Sequence, residues 1–305
     1  MKYLIEVGPL VLDVYEPILF SHPRGPDTSM HAFEVKLMRP LRKNEGPMEC
    51  ITLTKNDGIA VLTINRPNQL NALNKQTLGE ISLAFEDMRD DSETKVVIIT
   101  GSGDKAFVAG ADIKEFAHFN GAEGAELAKE GHMTVFNLIE EFPKPVIAAV
   151  NGFALGGGLE LAMSAHVRIA SDNARMGLPE TSLGVIPGYG GTQRLPQLIG
   201  KGRALEMIFS AKMIDAPTAL EYGLVNRVVP QAELLGAAEE MARSFMKNSI
   251  VAMGFAIEAV NAGLLEGSVG YDVEVQAFGD CFETADFKEG TTAFIEKRKP
   301  NFPGA

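Results

Sequence analysis

The stretch that decides the fold covers residues 145–160, with the sequence Pro-Val-Ile-Ala-Ala-Val-Asn-Gly-Phe-Ala-Leu-Gly-Gly-Gly-Leu-Glu. Its first six residues are a short apolar run, which predicts a strand covered on both faces. Three consecutive glycines follow, and a helix is expected over 159–166. Free N–H groups at a helix start favour a developing negative charge, so the stretch predicts an oxyanion hole. The alternative is a tight turn that only packs the strand against the helix.

Working outward from this stretch, strands and helices alternate along the chain. The turn Asn56-Asp57-Gly58 joins two β-rich runs and predicts a hairpin. Asp215 is expected to cap a short helix that has Pro217 in its first turn. The other segments follow from apolar spacing: helices over 74–88 and 123–142, strands over 96–100, 167–170 and 224–229, and helices beyond about residue 231. This order of strand, strand and helix predicts an α/β fold.

A second source of backbone donors lies in residues 107–114, where the chain leaves the strand at 96–100 and passes through small residues. Two backbone donors from separate strand ends can flank one carbonyl oxygen. The loop 184–195 contains four glycines and can line a cavity, although by itself it indicates no more than a flexible turn.

Two carboxylates accompany these loops. Glu160 lies in the first turn of the helix after the glycines, and Glu180 follows Pro179. Taken singly, the first is typical of a favourable helix-dipole interaction and the second of a solvated side chain. Together, reached from two strand ends, they predict an acid/base pair around one substrate bond.

Composition excludes several classes of protein. With 46% apolar residues, the 305-residue chain can bury a core, and 40 acidic against 28 basic residues argue against general binding to nucleic acid or anionic membranes. Only Cys50 and Cys281 are present, too few for a disulfide framework. No apolar run approaches the roughly 18 to 20 residues that span a bilayer, and the five histidines lack metal-ligand spacing. We expect a cytoplasmic protein with no metal and no nucleic-acid or membrane partner.

Residues 1–47 differ from the rest, with six prolines and little periodicity. They are either a loosely ordered extension or an artefact of start-site choice, since Met48 directly precedes the first clear strand. Both interpretations remain open, and no function is assigned to this segment.

Four ordered motifs resemble the crotonase, or enoyl-CoA hydratase/isomerase, superfamily. They are residues 105–114, 145–160, 179–180 and 186–195. The similarity covers about residues 49–303 and leaves the N-terminal segment outside. It implies a crotonase-like spiral of ββα units over 48–245, followed by a C-terminal helical oligomerisation region over 246–305.

The resemblance also implies the roles of the site residues. It assigns the oxyanion hole to the N–H groups of Ala111 and Gly157, which hold the thioester carbonyl. Further substrate contacts are implied for Ala109, Gly110, Asp112, Ile113, Lys114, Gly156 and Gly188. Because this superfamily varies its side-chain chemistry, the carboxylates indicate the reaction. Glu160 and Glu180 together are similar to the pair of hydratases, which add water syn to 2-enoyl-CoA without a cofactor.

The closing segment, residues 286–300, is similar to the end of short-chain enoyl-CoA hydratases. In such proteins this helix serves a neighbouring subunit in a trimer or a dimer of trimers, which implies that Phe294 and Lys297 contact an adjacent coenzyme A. The local basic charge suits its phosphates; the alternative is a solvated helix end. Two other functions remain open: an enoyl-CoA isomerase that uses Glu180 alone, and a non-catalytic acyl-CoA-binding or RNA-binding relative.

Overall fold

The chain divides into two units, Met1–Pro47 and Met48–Ala305. The computed structural model describes residues 2–7, 10–15, 48–264 and 270–305. In the first unit, strands β1 (Lys2–Val7) and β2 (Leu10–Tyr15) pair in antiparallel register. The rest of the segment interpreted as an extension or a start-site artefact lies outside the described residues.

The second unit contains two sheets. Over 48–264 and 270–305 the strands are β3 (Ile51–Asn56), β4 (Ile59–Ile64), β5 (Val96–Gly101), β6 (Ala106–Val108), β7 (Val146–Val150), β8 (Phe153–Leu155), β9 (Val167–Ser171), β10 (Arg175–Gly177), β11 (Ile214–Asp215) and β12 (Arg227–Val229). The larger sheet has the order β12-β9-β7-β5-β4-β3 and the smaller one β11-β10-β8-β6. All neighbours pair in parallel except β3 with β4 and β10 with β11.

Helices connect and cover these sheets. They are α1 (Lys75–Asp90), α2 (Gly121–Gly131), α3 (Asn137–Glu140), α4 (Gly157–Ser164), α5 (Gly191–Ile199), α6 (Lys201–Ser210), α7 (Ala216–Tyr222), α8 (Leu234–Phe245), α9 (Ile250–Gly263), α10 (Gly270–Cys281) and α11 (Ala285–Ile295). A π-helical segment, His132–Phe136, joins α2 to α3.

From β5 to β10, consecutive strands alternate between the two sheets. β5, β7 and β9 lie in the larger sheet, and each is followed by a strand of the smaller sheet (β6, β8, β10) and then by helical segments. The repeated step from sheet to sheet to helix produces a spiral, as the sequence predicted. It also brings the ends of β6, β8 and β10, and the loops that follow them, to one edge of the smaller sheet, because these strands pair in parallel.

The larger sheet is buried on both faces. Along β5, Val97 and Ile99 belong to one core cluster, whereas Val96 and Ile98 belong to a second cluster completed by α8 residues such as Ala238. Successive strand side chains point to opposite faces, so a strand covered on both sides needs apolar residues throughout. This explains why β5 and β7 are continuous apolar runs.

Most predicted elements agree with the structure, with small shifts. The hairpin forms, and Asp57 and Gly58 adopt the positive φ values of 48° and 82° that its two-residue turn requires. The helix predicted over 123–142 is instead α2, the π-helical segment and α3. The strand predicted over 224–229 begins only at Arg227, because Leu224 and Val225 are buried in the connection from α7.

Among the described residues, no helix combines the length and the apolar character that crossing a membrane requires.

Candidate active site

Each of the three glycines at the start of α4 has its own reason to be glycine. Gly156 has φ +51° and donates its N–H to Gly177 O at 2.9 Å. A side chain at Gly158 would collide with the Val108 carbonyl of β6. Gly157 has more room, since a Cβ there would lie 3.4 Å from the Tyr189 ring. The tight turn and the close packing proposed as the alternative are therefore present, but they account only for the outer two glycines.

The predicted second donor, Ala111, lies beside Gly157. A Cβ built on Gly157 would lie 3.7 Å from Ala111 N. A short parallel bridge holds this segment: Leu73 N–H donates to Gly110 O at 2.9 Å, and Asp112 N–H donates to Leu73 O at 2.7 Å. The bridge does not use Ala111 N–H, and Gly157 N–H belongs to the first turn of a helix, where no intrahelical acceptor exists. Two neighbouring amide donors thus border one space.

Glu160, in the first turn of α4, is 1% exposed. Its Oε1 accepts the N–H of Tyr189 at 2.8 Å and the N–H of Gly191 at 2.7 Å. Burial, opposed by the Gly191 hydrogen bond and assisted by the charge of Glu180, raises the pKa of Glu160 to about 7. A carboxyl group with this pKa gains and loses a proton readily near neutral pH.

Glu180 begins the 3₁₀ turn after β10. Its Oε1 lies only 2.6 Å from the position that a Cβ on Gly156 would occupy, so glycine at 156 admits this carboxylate. Within the described parts of the chain, its buried Oε2 has no hydrogen-bond partner. Burial raises the pKa of Glu180 above its usual 4.5. The structure therefore brings Glu160 and Glu180 together at the start of α4.

The segment that supplies the two N–H groups to Glu160, residues 187–191, is termed the glycine loop. It is held from behind by Arg194, whose Nη1 donates to Tyr189 O at 2.9 Å. The same guanidinium forms an ion pair with Glu140. The Arg194 side chain is buried. Glycine at 190, with φ +98°, leaves the room that the guanidinium occupies. Arg194, in the first turn of α5, thereby holds the glycine loop in place. The loop in turn holds Glu160 through the N–H groups of Tyr189 and Gly191.

This arrangement can now be compared with known proteins. The model of the enoyl-CoA hydratase/isomerase family matches residues 54–305. The chain belongs to this family.

Named relatives within the enoyl-CoA hydratase/isomerase family are similar over most of their length. A short-chain-enoyl-CoA hydratase of Clostridium acetobutylicum is 50% identical over 250 residues, covering 82% of this chain and 95% of that protein. A crotonyl-CoA hydratase of Syntrophomonas wolfei is 49% identical, covering 83% and 98%. The crystal structure of an enoyl-CoA hydratase from Bacillus anthracis superposes with a TM-score of 0.79 at 41% identity, covering 84% and 100%. The predicted superfamily and its spiral fold are confirmed.

In this family member, the predicted substrate contacts other than Gly156 lie in three places. Ala109, Gly110, Asp112, Ile113 and Lys114 are next to Ala111 in the chain, and Gly188 belongs to the glycine loop. The Asp112 carboxylate lies 3.5 Å from Arg66 Nη2, so this side chain already has a partner within the chain. Phe294 lies in the last turn of α11 and Lys297 lies two residues after its end, and Phe294 is 85% exposed.

Sequence reasoning missed two residues of this hydratase/isomerase-family site, Tyr189 and Arg194. Both occur in the glycine-rich segment Gly-Tyr-Gly-Gly-Thr-Gln-Arg, residues 188–194. The sequence offered one signal for them, a large aromatic side chain and a long basic side chain among small residues. A flexible turn needs neither. In the described residues no group of three or more His, Cys, Asp or Glu could hold a metal ion; the prediction that the protein uses no metal stays a prediction.

Proposed function

We propose that the protein is an enoyl-CoA hydratase, which adds water reversibly and syn to a trans-2-enoyl-CoA to give a 3-hydroxyacyl-CoA. The observation that carries this proposal is the pair of carboxylates, buried Glu160 and partly buried Glu180, next to the paired amides of Ala111 and Gly157. The names of the relatives, short-chain-enoyl-CoA hydratase and crotonyl-CoA hydratase, agree with it.

The amide pair acts on the thioester carbonyl. When a nucleophile attacks C3, electrons move through C2 and the carbonyl oxygen becomes an enolate oxygen. N–H groups already in place stabilise this charge more in the transition state than in the substrate. Gly157 adds the helix dipole of α4, whose positive end faces the same oxygen.

The carboxylates act on water and on C2. Ionised Glu160 accepts a proton from a water molecule held between the two carboxylates, while the water oxygen bonds to C3. Protonated Glu180 then gives its proton to C2, and the enolate returns to a thioester. Burial and the charge of Glu180 raise the pKa of Glu160 to about 7, and burial raises the pKa of Glu180, so the pair carries two negative charges less readily than exposed carboxylates do. A following water molecule can carry the proton from Glu160 back to Glu180.

The remaining contacts are proposed to position the substrate. The acyl-CoA is bordered by residues that follow β6 and β8 and by one residue of the glycine loop: Ala109, Gly110, Asp112, Ile113, Lys114, Gly156 and Gly188. Hydration needs only water as the second reactant, so no cofactor is required beyond the coenzyme A of the substrate itself.

We further propose that the site is completed in a homo-oligomer, a trimer or a dimer of trimers formed through the region 246–305. Support comes from large apolar side chains that the single chain leaves exposed there, among them Tyr271, Val275, Phe278, Phe294 and Ile295. Exposed apolar patches of this kind mark interfaces. Phe294 and Lys297 would then contact the coenzyme A of the neighbouring subunit. A cytoplasmic location stays a prediction.

The test is a product analysis with crotonyl-CoA in oxygen-18-labelled water. The hydratase is expected to form 3-hydroxybutyryl-CoA with one labelled oxygen at C3. Presenting 3-enoyl-CoA to the same preparation examines the alternative: rapid formation of 2-enoyl-CoA without label would identify an isomerase. Binding of crotonyl-CoA with neither reaction would contradict an enzymatic function and favour the non-catalytic alternative.

A further inference from the structure

Tyr189 lies beside both Gly157 and Glu160 of the proposed site. The residue is 7% exposed, although it lies in a glycine-rich loop. Its ring stacks on Phe136 with centroids 4.6 Å apart and planes 14° apart. On one edge it meets Gly157, where an added Cβ would lie 3.4 Å from Cδ2. On the other edge it meets Gly131, where an added Cβ would collide with Cε1.

These contacts hold the ring in a defined place between α2 and α4. Glycine at 131 is required for the ring to fit, and Phe136, which stacks on the ring, is the last residue of the π-helical segment His132–Phe136. π-Helical segments occur often at functional sites. The backbone N–H of the same tyrosine holds Glu160. Ring and acid/base group are therefore parts of one rigid unit.

The position of the ring relative to the substrate follows from the proposed chemistry. An enoyl thioester whose carbonyl oxygen binds Ala111 and Gly157 N–H presents C3, two bonds from C1, to Glu160. Carbons beyond C3 continue past Glu160, away from the coenzyme A. Tyr189 borders Gly157 with its ring and Glu160 with its backbone N–H, so its ring lies beside the path of these carbons.

We propose that the Tyr189 ring closes the acyl end of the site and restricts the enzyme to short 2-enoyl chains. This inference rests on the proposed hydratase function and adds to it the class of acyl group. The ring offers an apolar face to a short chain, and a longer chain must displace it from Phe136 and Gly131. Burial, and then the charge of Glu160, raises the pKa of Tyr189 to about 12, so the phenol stays neutral across the working pH range.

The experiment measures kcat/KM for crotonyl-CoA and for 2-decenoyl-CoA with the wild type and with Tyr189→Ala. The wild type is expected to prefer crotonyl-CoA by roughly 10-fold or more, and the variant is expected to move this ratio by at least about 10-fold toward 2-decenoyl-CoA. Tyr189→Phe keeps the ring and is expected to keep the wild-type ratio. Tyr189→Leu replaces the alanine variant if the latter does not fold.

A matched control separates the chain-length effect from loss of packing. Phe142 is a fully buried aromatic that packs edge-on against Phe85, with centroids 5.0 Å apart. Phe142→Ala should lower stability without moving the ratio. Equal wild-type kcat/KM for the two thioesters, or an unchanged ratio in folded Tyr189→Ala, would overturn the proposal. A wild type that binds but hydrates neither thioester would instead refute the proposed function itself.

Discussion

Arg194 and Glu140 form a two-point ion pair behind the glycine loop. Arg194 Nε lies 3.0 Å from Glu140 Oε1, and Arg194 Nη2 lies 2.5 Å from Glu140 Oε2. The third nitrogen of the guanidinium holds Tyr189 O, whose own N–H holds Glu160. The planar fork of arginine suits this arrangement, which lysine cannot reproduce. A partly buried ion pair thus positions the Glu160 carboxylate through the backbone of Tyr189.

Replacing Arg194 by Met should lower kcat and shift its pH dependence. The positive charge of Arg194 lowers the pKa of Glu160, so its removal should raise that pKa and move the acid limb of the rate profile to higher pH. Arg194→Lys keeps the charge without the two-point geometry and should lower kcat with a smaller shift. The measurement is kcat against pH for both variants. An unshifted profile in folded Arg194→Met would restrict Arg194 to a structural role.

Glu160→Gln and Glu180→Gln should each lower kcat by roughly 10²- to 10⁴-fold, the range for general acid–base groups. Substrate binding should change little, because neither carboxylate contacts coenzyme A in the proposal. Glu240→Gln, a change at an exposed position on α8, is the matched control and should leave kcat unchanged. Steady-state kinetics with crotonyl-CoA provide the test, and near-normal turnover by either folded variant would remove that residue from the mechanism.

The raised pKa of Glu160 also predicts a pH-dependent stability. In the folded protein this pKa is about 7, against the 4.5 that is usual for a glutamate in the unfolded chain. The stability that the protonated Glu160 carboxyl contributes to the folded protein is therefore complete below pH 4.5 and is lost as the pH rises toward 7. Glu160→Gln lacks this loss, so the variant should gain stability relative to the wild type between pH 5 and pH 8, by up to about 3 kcal/mol. Denaturant unfolding of the variant and the wild type at pH 5 and at pH 8 measures this difference in stability. A variant that becomes less stable than the wild type over this range would contradict the raised pKa of Glu160.

Gly157 and Gly158 should respond differently to alanine. Gly157→Ala should fold, since its Cβ makes ordinary contacts, but should lose roughly 10²- to 10³-fold in kcat because a side chain disturbs the close approach to one oxyanion donor. Gly158→Ala should instead destabilise the fold, because its Cβ meets the Val108 carbonyl. Thermal unfolding and kinetics of both variants distinguish the two roles. A wild-type kcat in Gly157→Ala would indicate that Gly157 is not part of the oxyanion hole.

Lys297→Glu should raise KM for the CoA thioester more than it lowers kcat, because the coenzyme A handle is remote from the reacting carbons. Lys288→Glu makes the same charge change in the first turn of α11, the helix that precedes Lys297, and serves as the control. Sedimentation should accompany the kinetics, since a site shared between subunits links ligand binding to assembly. An intact oligomer with unchanged KM would rule out the shared site.

The local pattern of the sequence was sufficient for several features. The turn Asn56-Asp57-Gly58 specifies its hairpin by backbone preference, and the apolar run of β7 specifies a strand buried on both faces. The glycines at 156–158 mark a close backbone approach at the start of α4. These features depend on neighbouring residues, so they can be recognised without knowledge of the fold.

Only the tertiary structure decided how the site is held and closed. Glu160 receives its hydrogen bond from Gly191, 31 residues away, and Arg194 meets Glu140 across 54 residues. The raised pKa of Glu160 depends on burial by elements that no local pattern connects. The Tyr189 ring acquires its place from Gly131 and Phe136 in the same manner. By itself the sequence determined which carboxylates and amides are present, and the spiral of strands and helices determined their proximity, because distance and desolvation belong to the packed chain.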